Sequence, residues 1–346
     1  NENNFISETA DDFVWEYAAL INDQIDARAP GYQSDYTAGG ATSYKSDYLM
    51  NAMLKDPAGE DGKGDPRRRY YFFRQNECTP GALKDFTVDP TNPDNQCPVD
   101  PERLFCSTSP RPAHYPGSDM VYCSVDNGYW GRDHGFGGGI PPDTFKRTAY
   151  GVYPYAGNFD DNRFSSVGLG QGGGGAGITP IYLASWSHLM LAEMALTNGG
   201  DATSHLRKAL EISIAKVMSF GSLDGDIQNP DYIPTSAYVT TYINNKITEF
   251  NNLGADKMNL LGEQHLVAHF GNGSNSYNFY RRTGYPLTLQ WTVEPAPGGF
   301  VRSLFYPADE ANTNPNIPQK PNVGVQVFWD TKGPSSAAGT GFPYAN

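Results

Sequence analysis

The chain has 346 residues, of which 18% are charged and 13% aromatic, and its formal net charge is −13. This length suits one large domain or two ordinary ones, and the many Tyr, Gly and Pro residues indicate a folded protein with long, ordered loops. The acidic charge argues against a nucleic-acid partner, because phosphate binding needs basic clusters and the longest one, Arg67-Arg68-Arg69, is isolated. No apolar run reaches the roughly 20 residues that span a bilayer, and no signal peptide precedes Phe5, so the chain as given is expected to be soluble.

Two short helices are predicted near the N-terminus. The first lies within residues 1–28, and the second begins at Ser46 or Asp47, either of which can cap it, and ends at Asp56-Pro57. The first prediction depends on apolar residues that recur at helical spacing, namely Phe13, Tyr17, Leu20, Ile21 and Ile25.

A loop-rich insertion is predicted over residues 74–177, where no hydrophobic period is sustained. All the cysteines of the chain fall in it, and they are Cys78, Cys97, Cys106 and Cys123. An even count in a polar loop favours two local disulfides, most simply Cys78–Cys97 and Cys106–Cys123, although the other connectivities stay open. Zinc is the weaker alternative, because the chain has no CxxC pair and His114 is the only histidine within the cysteine interval.

A buried helix is predicted over residues 181–197, which are apolar nearly all round. Thr179-Pro180 would start it as an N-cap followed by proline at the first helical position, and Gly199-Gly200 would end it. Two more helices are predicted further along, at about 237–251 and 256–270, and loops with short strands are expected after them.

The stretch 202–219 is predicted to form a second helix that packs against the first as an antiparallel hairpin. Asp201 can cap this helix, and a Gly turn of this length between two helices is typical of a tetratricopeptide-like hairpin. We expect Trp186 in the core of the hairpin and Arg207 and Lys208 on its outer face.

Several segments that resemble catalytic or metal-binding motifs are better explained as structure. The glycine-rich stretch 168–177 lacks the preceding strand of a phosphate cradle, so a flexible connector is favoured. His265 and His269 have zinc spacing but lack the HExxH glutamate, which favours core or surface histidines. Arg281-Arg282 lies beside a turn, where arginines usually bind backbone carbonyls or a carboxylate. The adjacent acids Asp11-Asp12 and Asp160-Asp161 are expected to be solvated loop residues, because a glycosidase needs two carboxylates that face each other across a cleft.

Four motifs in chain order resemble the SusD/RagB-like outer-membrane lipoproteins, particularly the SusD-like 2 subgroup. They are Asp65-Pro66-Arg67, a buried helix that carries Glu193, the Arg281–Pro286 turn, and Phe328-Trp329-Asp330. The resemblance covers roughly residues 5–330. It implies one mainly α domain over 1–346, with tetratricopeptide-like hairpins, long irregular loops and minor β structure.

The resemblance implies that the chain corresponds to the C-terminal two-thirds of such a protein. The lipid-modified cysteine and the earlier helices of the family are not part of it, and residues 179–330 hold the tetratricopeptide-like hairpin and the C-terminal region. The resemblance implies a surface-exposed protein that binds nutrients and catalyses nothing, with no cofactor and no metal. Its partners would be oligosaccharides and a TonB-dependent SusC-like transporter, and its only membrane attachment a lipid anchor that this chain lacks.

Two other functions stay open at this stage. The cargo is a peptide in RagB-like relatives, so peptide binding is the first alternative. The second is a glycoside hydrolase built on helices, although no GxSxG motif and no convincing catalytic residue is found.

An aromatic loop at 122–134 is the predicted ligand site. Sugar rings need an aromatic platform beside polar groups, and this loop offers both. Tyr129 and Trp130 are the predicted platforms, and the residues predicted to accompany them are Asp126, Asn127, Arg132 and Tyr153. In the alternative interpretation these aromatic rings hold the loop to the core.

Overall fold

The protein is mainly helical, and the residues that the structure describes also form two small sheets of two strands each. A computed structural model describes residues 5–21, 26–99, 110–115, 120–136, 143–294 and 302–328. The helices of these ranges are α1 Pro30–Asp35, α2 Asp47–Leu54, α3 Arg68–Tyr71, α4 Ala184–Asn198, α5 Ala202–Ser219, α6 Ser236–Asn252, α7 Lys257–Ala268, α8 Gly273–Thr283 and α9 Ala308–Thr313. The strands are β1 Phe13–Glu16, β2 Phe72–Phe73, β3 Ala149–Tyr150 and β4 Ile178–Tyr182. None of the described helices has the length and apolar composition needed to cross a membrane.

Helices α4 and α5 form the predicted antiparallel hairpin. Gly199, at a φ of 80°, ends α4, and the Asp201 side chain accepts from the Ser204 amide at 2.9 Å to cap α5. Trp186 is buried in the core of the hairpin, and the Lys208 side chain is half-exposed, so both were placed correctly from the sequence. Arg207 is also partly exposed, as predicted.

Helices α6 and α7 extend this helical layer, close to the bounds that periodicity predicts. Thr235 accepts from the Tyr238 amide at 3.2 Å and caps α6. The four helices α4 to α7 enclose one apolar core, whose buried members include Trp186, Leu189, Leu206, Leu210, Ile214, Tyr242, Phe250 and Leu261.

The start of α4 differs from the prediction, because Thr179 and Pro180 lie in strand β4. This strand pairs antiparallel with β1, and Pro180 faces Val14 across the ladder. The helix begins only at Ala184, whose amide donates to the Asp12 carboxylate at 2.7 Å. The predicted helix within 1–28 is also wrong over Phe13–Glu16, which is strand β1. A four-residue strand is too short for its period to be separated from that of a helix.

Helix α2 follows the prediction at both ends. The Ser46 hydroxyl accepts from the Leu49 amide at 3.3 Å, and the helix ends at Leu54, just before Asp56.

The next segment joins the helical layer to the loop-rich region, because Arg67 binds two helices of that layer and Arg68 donates to the Tyr129 hydroxyl. It contains a buried ion pair. Arg67 pairs with Asp65 at 2.6 Å and donates to Ser213 of α5 and Gln264 of α7, both at 3.0 Å. Asp65 also accepts from the Tyr242 hydroxyl of α6 at 2.9 Å. The Asp65-Pro66-Arg67 motif therefore connects three helices to one loop.

The described part of 74–177 is mostly irregular, and its regular elements are the 3-10 helix Pro93–Asn95 and the short strand β3. Cys78 and Cys97 form a disulfide with their Cα atoms 5.4 Å apart, which is the predicted pairing. Cys123 is also disulfide-bonded, whereas Cys106 lies outside the described residues.

Buried ion pairs hold this irregular region together. Asp160 binds Arg74 at 2.5 Å, and Asp161 binds Arg163 at 2.9 Å. Both carboxylates are buried, so the prediction of solvated loop acids is wrong at Asp160-Asp161, and it is also wrong at Asp12, whose buried carboxylate pairs with Lys216. A carboxylate can be buried in this way when an arginine or lysine compensates its charge.

The segment after α7 has more helix than predicted, because α8 and α9 replace some of the expected loops. Arg282 of α8 forms a two-bond ion pair with Glu193 of α4, as expected for a structural arginine. His265 and His269 are buried, and the His265 ring stacks on Phe279 at 3.9 Å. Trp329 and Asp330 lie outside the described residues.

Candidate functional site

The two predicted stacking platforms are enclosed. The Tyr129 ring lies between the guanidinium groups of Arg74 and Arg68, at 5.0 and 5.6 Å from its centre, and its hydroxyl accepts from Arg68. Trp130 is only 1% exposed, and its Nε1 donates to Asp143 at 3.0 Å. A ring with no exposed face has no surface to stack on a sugar, so the prediction of platforms at Tyr129 and Trp130 does not fit this structure. Their burial matches the alternative, in which these rings hold the loop to the core.

The neighbouring polar residues are also engaged within the protein. Asp126 pairs with Lys55 at 2.6 Å and accepts from the Leu83 amide at 2.9 Å. The Asn127 Oδ1 atom accepts from the Phe86 amide at 3.2 Å, and its backbone has a positive φ of 61°. These contacts fix the shape of the turn.

The remaining two predicted residues lie apart from this turn. Arg132 stacks on the Tyr44 ring at 4.0 Å and donates to the Phe136 carbonyl at 3.1 Å. Tyr153 is buried and stacks on Tyr71 at 5.5 Å between ring centres. The six residues therefore do not form one site, and only Asn127 lines the cleft described next.

A cleft of about 380 Å³ opens where the loop-rich region meets the segment leading into α6. Three sequence stretches line it, together with Arg74, Asn127 and Asn162. The stretches are 62–69, 85–87 and 231–238. We call this the arginine cleft, because Arg68, Arg69 and Arg74 line it.

Two of the three guanidinium groups of the arginine cleft contact the same carboxylate, that of Asp160. Arg74 holds Asp160 with two hydrogen bonds, at 2.5 and 3.0 Å. Arg69 reaches the same carboxylate only at 3.5 Å and donates to the Asn162 Oδ1 atom at 2.8 Å. Arg68 donates to the Tyr129 hydroxyl and to the Lys63 carbonyl, and neither acceptor is charged. Positive charge therefore exceeds its compensation in the depth of this cleft.

The pKa of Arg69 reflects its burial and the positive charges around it. Burial, and then the charges of Arg68 and Arg74, lower its pKa to about 10, although Asp160 acts in the opposite direction. Arg69 remains protonated at neutral pH, and an added anion would stabilise its charged form.

Two tyrosines border the arginine cleft. Tyr232 is 38% exposed and its ring lies over the Arg69 guanidinium at 4.2 Å. Tyr238 of α6 is half-buried and donates to the Gly64 carbonyl, and the Lys63 Nζ atom lies 5.3 Å from its ring centre. Tyr232 thus offers the accessible aromatic surface that the buried Tyr129 lacks.

A second cleft, of about 300 Å³, lies between α2 and α7. Its carboxylates include Asp56 and Glu249, which both bind the Lys246 Nζ atom, at 2.8 and 2.9 Å. Glu263 also lines it, and burial raises the pKa of that carboxyl while Thr288 donates a hydrogen bond to it. Two of the three acids are thus committed to an ion pair. Over the described ranges, no group of three or more His, Cys, Asp or Glu side chains is placed to hold a metal ion.

Sequence reasoning missed most of the arginine cleft. The Arg67-Arg68-Arg69 run was noted only as too isolated for nucleic acid, although a basic run in a chain of net charge −13 is itself a signal of local function. Tyr232 lies in Asn229-Pro-Asp-Tyr-Ile-Pro234, a polar loop with one aromatic residue between two helices. The predicted ligand loop at 122–134 has the same combination of aromatic and polar residues.

One solved structure, of a chitin-binding protein, matches the fold with a TM-score of 0.50 and 18% sequence identity. The match covers 90% of this chain and 52% of that protein, so the chain spans about half the length of the structure it resembles. Similarity at this level of identity concerns the fold alone. No family model and no curated protein matches the sequence.

Proposed function

We propose that this chain belongs to a non-catalytic glycan-binding protein of the SusD-like class, displayed on the bacterial cell surface. It captures oligosaccharides in the arginine cleft and passes them to a TonB-dependent SusC-like transporter in the outer membrane. The fold similarity to a chitin-binding protein supports glycan binding. The order of the SusD-like motifs in the sequence supports the transport role.

Tyr232 is the observation that carries the proposal. A sugar ring has apolar C–H faces ringed by hydroxyls, so its site needs an accessible aromatic ring next to polar groups. The Tyr232 ring is accessible, and Arg69 supports it from one side. Asn127, Asn162 and Asp231 line the same cleft and supply amide and carboxylate partners for hydroxyl groups.

The test is calorimetric titration with a neutral N-acetylglucosamine hexamer. We expect Tyr232→Ala to weaken binding roughly tenfold, which is the scale of one aromatic contact. Tyr277→Ala is the matched control, because Tyr277 is also 38% exposed but lies on α8, away from the cleft. If both variants bind as the parent does, the glycan does not occupy this cleft. If no neutral or acidic oligosaccharide binds at all, the proposed function fails.

The same preparation separates the two alternatives. Incubated oligosaccharides are analysed by mass spectrometry, and shortened products would favour a hydrolase. The second cleft is where such activity would be sought, because Glu263 has the raised pKa expected of a general acid. A panel of short peptides tests RagB-like binding, and peptide affinity above that for every sugar would replace the proposal.

The transporter partnership has its own test. The full-length lipoprotein is tagged in its native host and isolated from detergent-treated outer membranes. We expect a TonB-dependent transporter to co-purify with it in a stable ratio, and its consistent absence would remove the transport role while leaving glycan binding intact.

A further inference from the structure

We propose that the arginine cleft selects acidic oligosaccharides, in which carboxylates on the sugar rings pair with Arg69 and Arg68. This inference rests on the proposed function and specifies its substrate class. A neutral chitin-type sugar would bind the cleft more weakly than a uronic-acid oligomer of the same length.

The first step of the argument concerns Arg68. It is 4% exposed, it lines the cleft, and its Nε atom has no hydrogen-bond partner within the described residues. Its other nitrogens donate to the neutral Tyr129 hydroxyl and a backbone carbonyl. A buried guanidinium without a carboxylate is costly, because desolvation of its charge is not compensated. A bound carboxylate would provide that compensation.

The second step concerns Arg69, which neighbours Arg68 in the sequence. Arg74 holds the Asp160 carboxylate with two hydrogen bonds, so Arg69 has only a partial share of it at 3.5 Å. A planar carboxylate matches the fork of a guanidinium group better than a hydroxyl does. Tyr232 stacks on the same guanidinium at 4.2 Å, so one sugar residue can contact the ring and the charge together.

The carboxylates that line the arginine cleft are bound to other groups of the protein or exposed to solvent. Asp65 is paired with Arg67 at 2.6 Å, and the Asp85 carboxylate accepts from Thr87 at 2.7 Å. Asp231 is exposed at the mouth. The buried part of the cleft lining is therefore cationic, whereas its exposed part carries both signs, as Lys63 and Asp231 show. In a protein of net charge −13, such a spot attracts anions only at short range, so its selectivity is local and depends on salt.

The experiment compares three hexamers by calorimetry at low and high salt. They are a galacturonic acid hexamer, the neutral N-acetylglucosamine hexamer, and hexaglutamate, which carries carboxylates without sugar rings. We expect the galacturonate to bind at least about tenfold more tightly than the neutral sugar in 50 mM salt, which is the scale of one charge-assisted hydrogen bond. The ratio of the two affinities should shrink in 500 mM salt, because salt screens the charges. Equal affinity for hexaglutamate would show charge attraction alone and would overturn the inference.

Substitutions in the arginine cleft test whether the preference for galacturonate arises there. Arg69→Gln should remove most of the preference for galacturonate over the neutral sugar, measured as the ratio of the two affinities. Arg207→Gln is the control, because this arginine lies on α5 outside the cleft and donates to Asn244 at 2.9 Å. If Arg69→Gln does not fold, Lys63→Gln tests the same preference for galacturonate, because Lys63 lies at an exposed position of the cleft.

The outcomes separate the inference from the function beneath it. If the neutral sugar binds as tightly as the galacturonate and Arg69→Gln affects neither, the inference fails and glycan binding stands. If Tyr232→Ala weakens both sugars to a similar degree while Arg69→Gln weakens the acidic one more than the neutral one, both stand. If neither sugar binds, the proposed function fails and the inference with it.

Discussion

At the residue scale, Trp130 is a packing residue of the 122–134 loop. Its Nε1 atom donates to Asp143, and Tyr44 and Arg147 bind the same carboxylate. Replacement by alanine would leave a cavity and remove one donor from a buried acid. We expect Trp130→Ala to lower the free energy of unfolding by about 3–5 kcal/mol in urea denaturation.

Trp15 provides the control for this measurement. It is 63% exposed on β1, so Trp15→Ala should change the free energy of unfolding by less than about 0.5 kcal/mol. A Trp130→Ala protein as stable as the Trp15→Ala protein would mean that the indole is not enclosed in solution.

The loop around Trp130 also shows why the site could be only partly predicted. Aromatic rings beside Asp, Asn and Arg satisfy both a sugar platform and a staple to the core, and composition does not separate the two. The deciding contacts come from Arg68 and Arg74, which lie far earlier in the chain than Tyr129. Asn127 lines the cleft from a local turn of the same loop, whereas Tyr232 reaches the cleft from a distant loop.

Asp133 gives the protein a pH-dependent stability. Burial raises the pKa of its carboxyl to about 6, although hydrogen bonds from the Cys123 amide, Tyr115 and Gln290 act in the opposite direction. In the unfolded chain the value returns towards 3.8, so between these pH values the folded state binds the proton more tightly. The free energy of unfolding should therefore fall as pH rises from about 4 to 6, by roughly 3 kcal/mol from this group.

Asp133→Asn removes this titration. Denaturation at pH 4, 5, 6 and 7 should show a shallower fall for the variant than for the parent protein. Burial, and then the charge of Asp133, also raise the pKa of Asp47 well above its ordinary value, so Asp133→Asn should lower the pKa of Asp47 as well and make the fall shallower still. Identical slopes would mean that Asp133 titrates normally in the fold.

At the element scale, the cap of α5 is the simplest determinant to test. Asp201 is exposed and its side chain accepts from the Ser204 amide at 2.9 Å, which satisfies one of the free amides at the start of the helix. Asp201→Ala should lower the free energy of unfolding by about 1 kcal/mol, whereas Asp201→Asn should stay within a few tenths, because both residues cap well. If the two variants lose equal free energy of unfolding, the negative charge of Asp201 stabilises the helix through its dipole, and the capping hydrogen bond is not the cause.

Helices α4 to α7 could be predicted because their signals are local. Each has a cap residue, a repeating apolar stripe or a glycine stop within its own sequence, as Asp201 and Gly199 illustrate for the hairpin. Strands β1 and β4 lacked such a signal. Their pairing joins Trp15 to Thr179, which are far apart in the chain, and Thr179-Pro180 has the composition of a helix start. Only the long-range ladder selects the strand.

At the scale of the whole molecule, Arg67 connects the two kinds of structure. It is fully buried, it holds Asp65, and it binds α5 and α7 through Ser213 and Gln264. The arginine cleft lies beside it, since Asp65 and Arg68 both line that cleft. The geometry of the cleft should therefore depend on the junction between the loop-rich region and the helical layer.

Arg67→Ala tests whether this junction makes the protein one cooperative unit. The substitution leaves the Asp65 carboxylate buried without its cation, and breaking a buried pair in this way costs about 3–5 kcal/mol. Hydrogen exchange followed by mass spectrometry should show protection falling by similar amounts in α4 and in residues 120–136, because both depend on the junction. Arg207→Ala, an exposed arginine on α5, should leave both regions unchanged. If only one region loses protection, the loop-rich region and the helical layer unfold separately, and Arg67 stabilises just one of them.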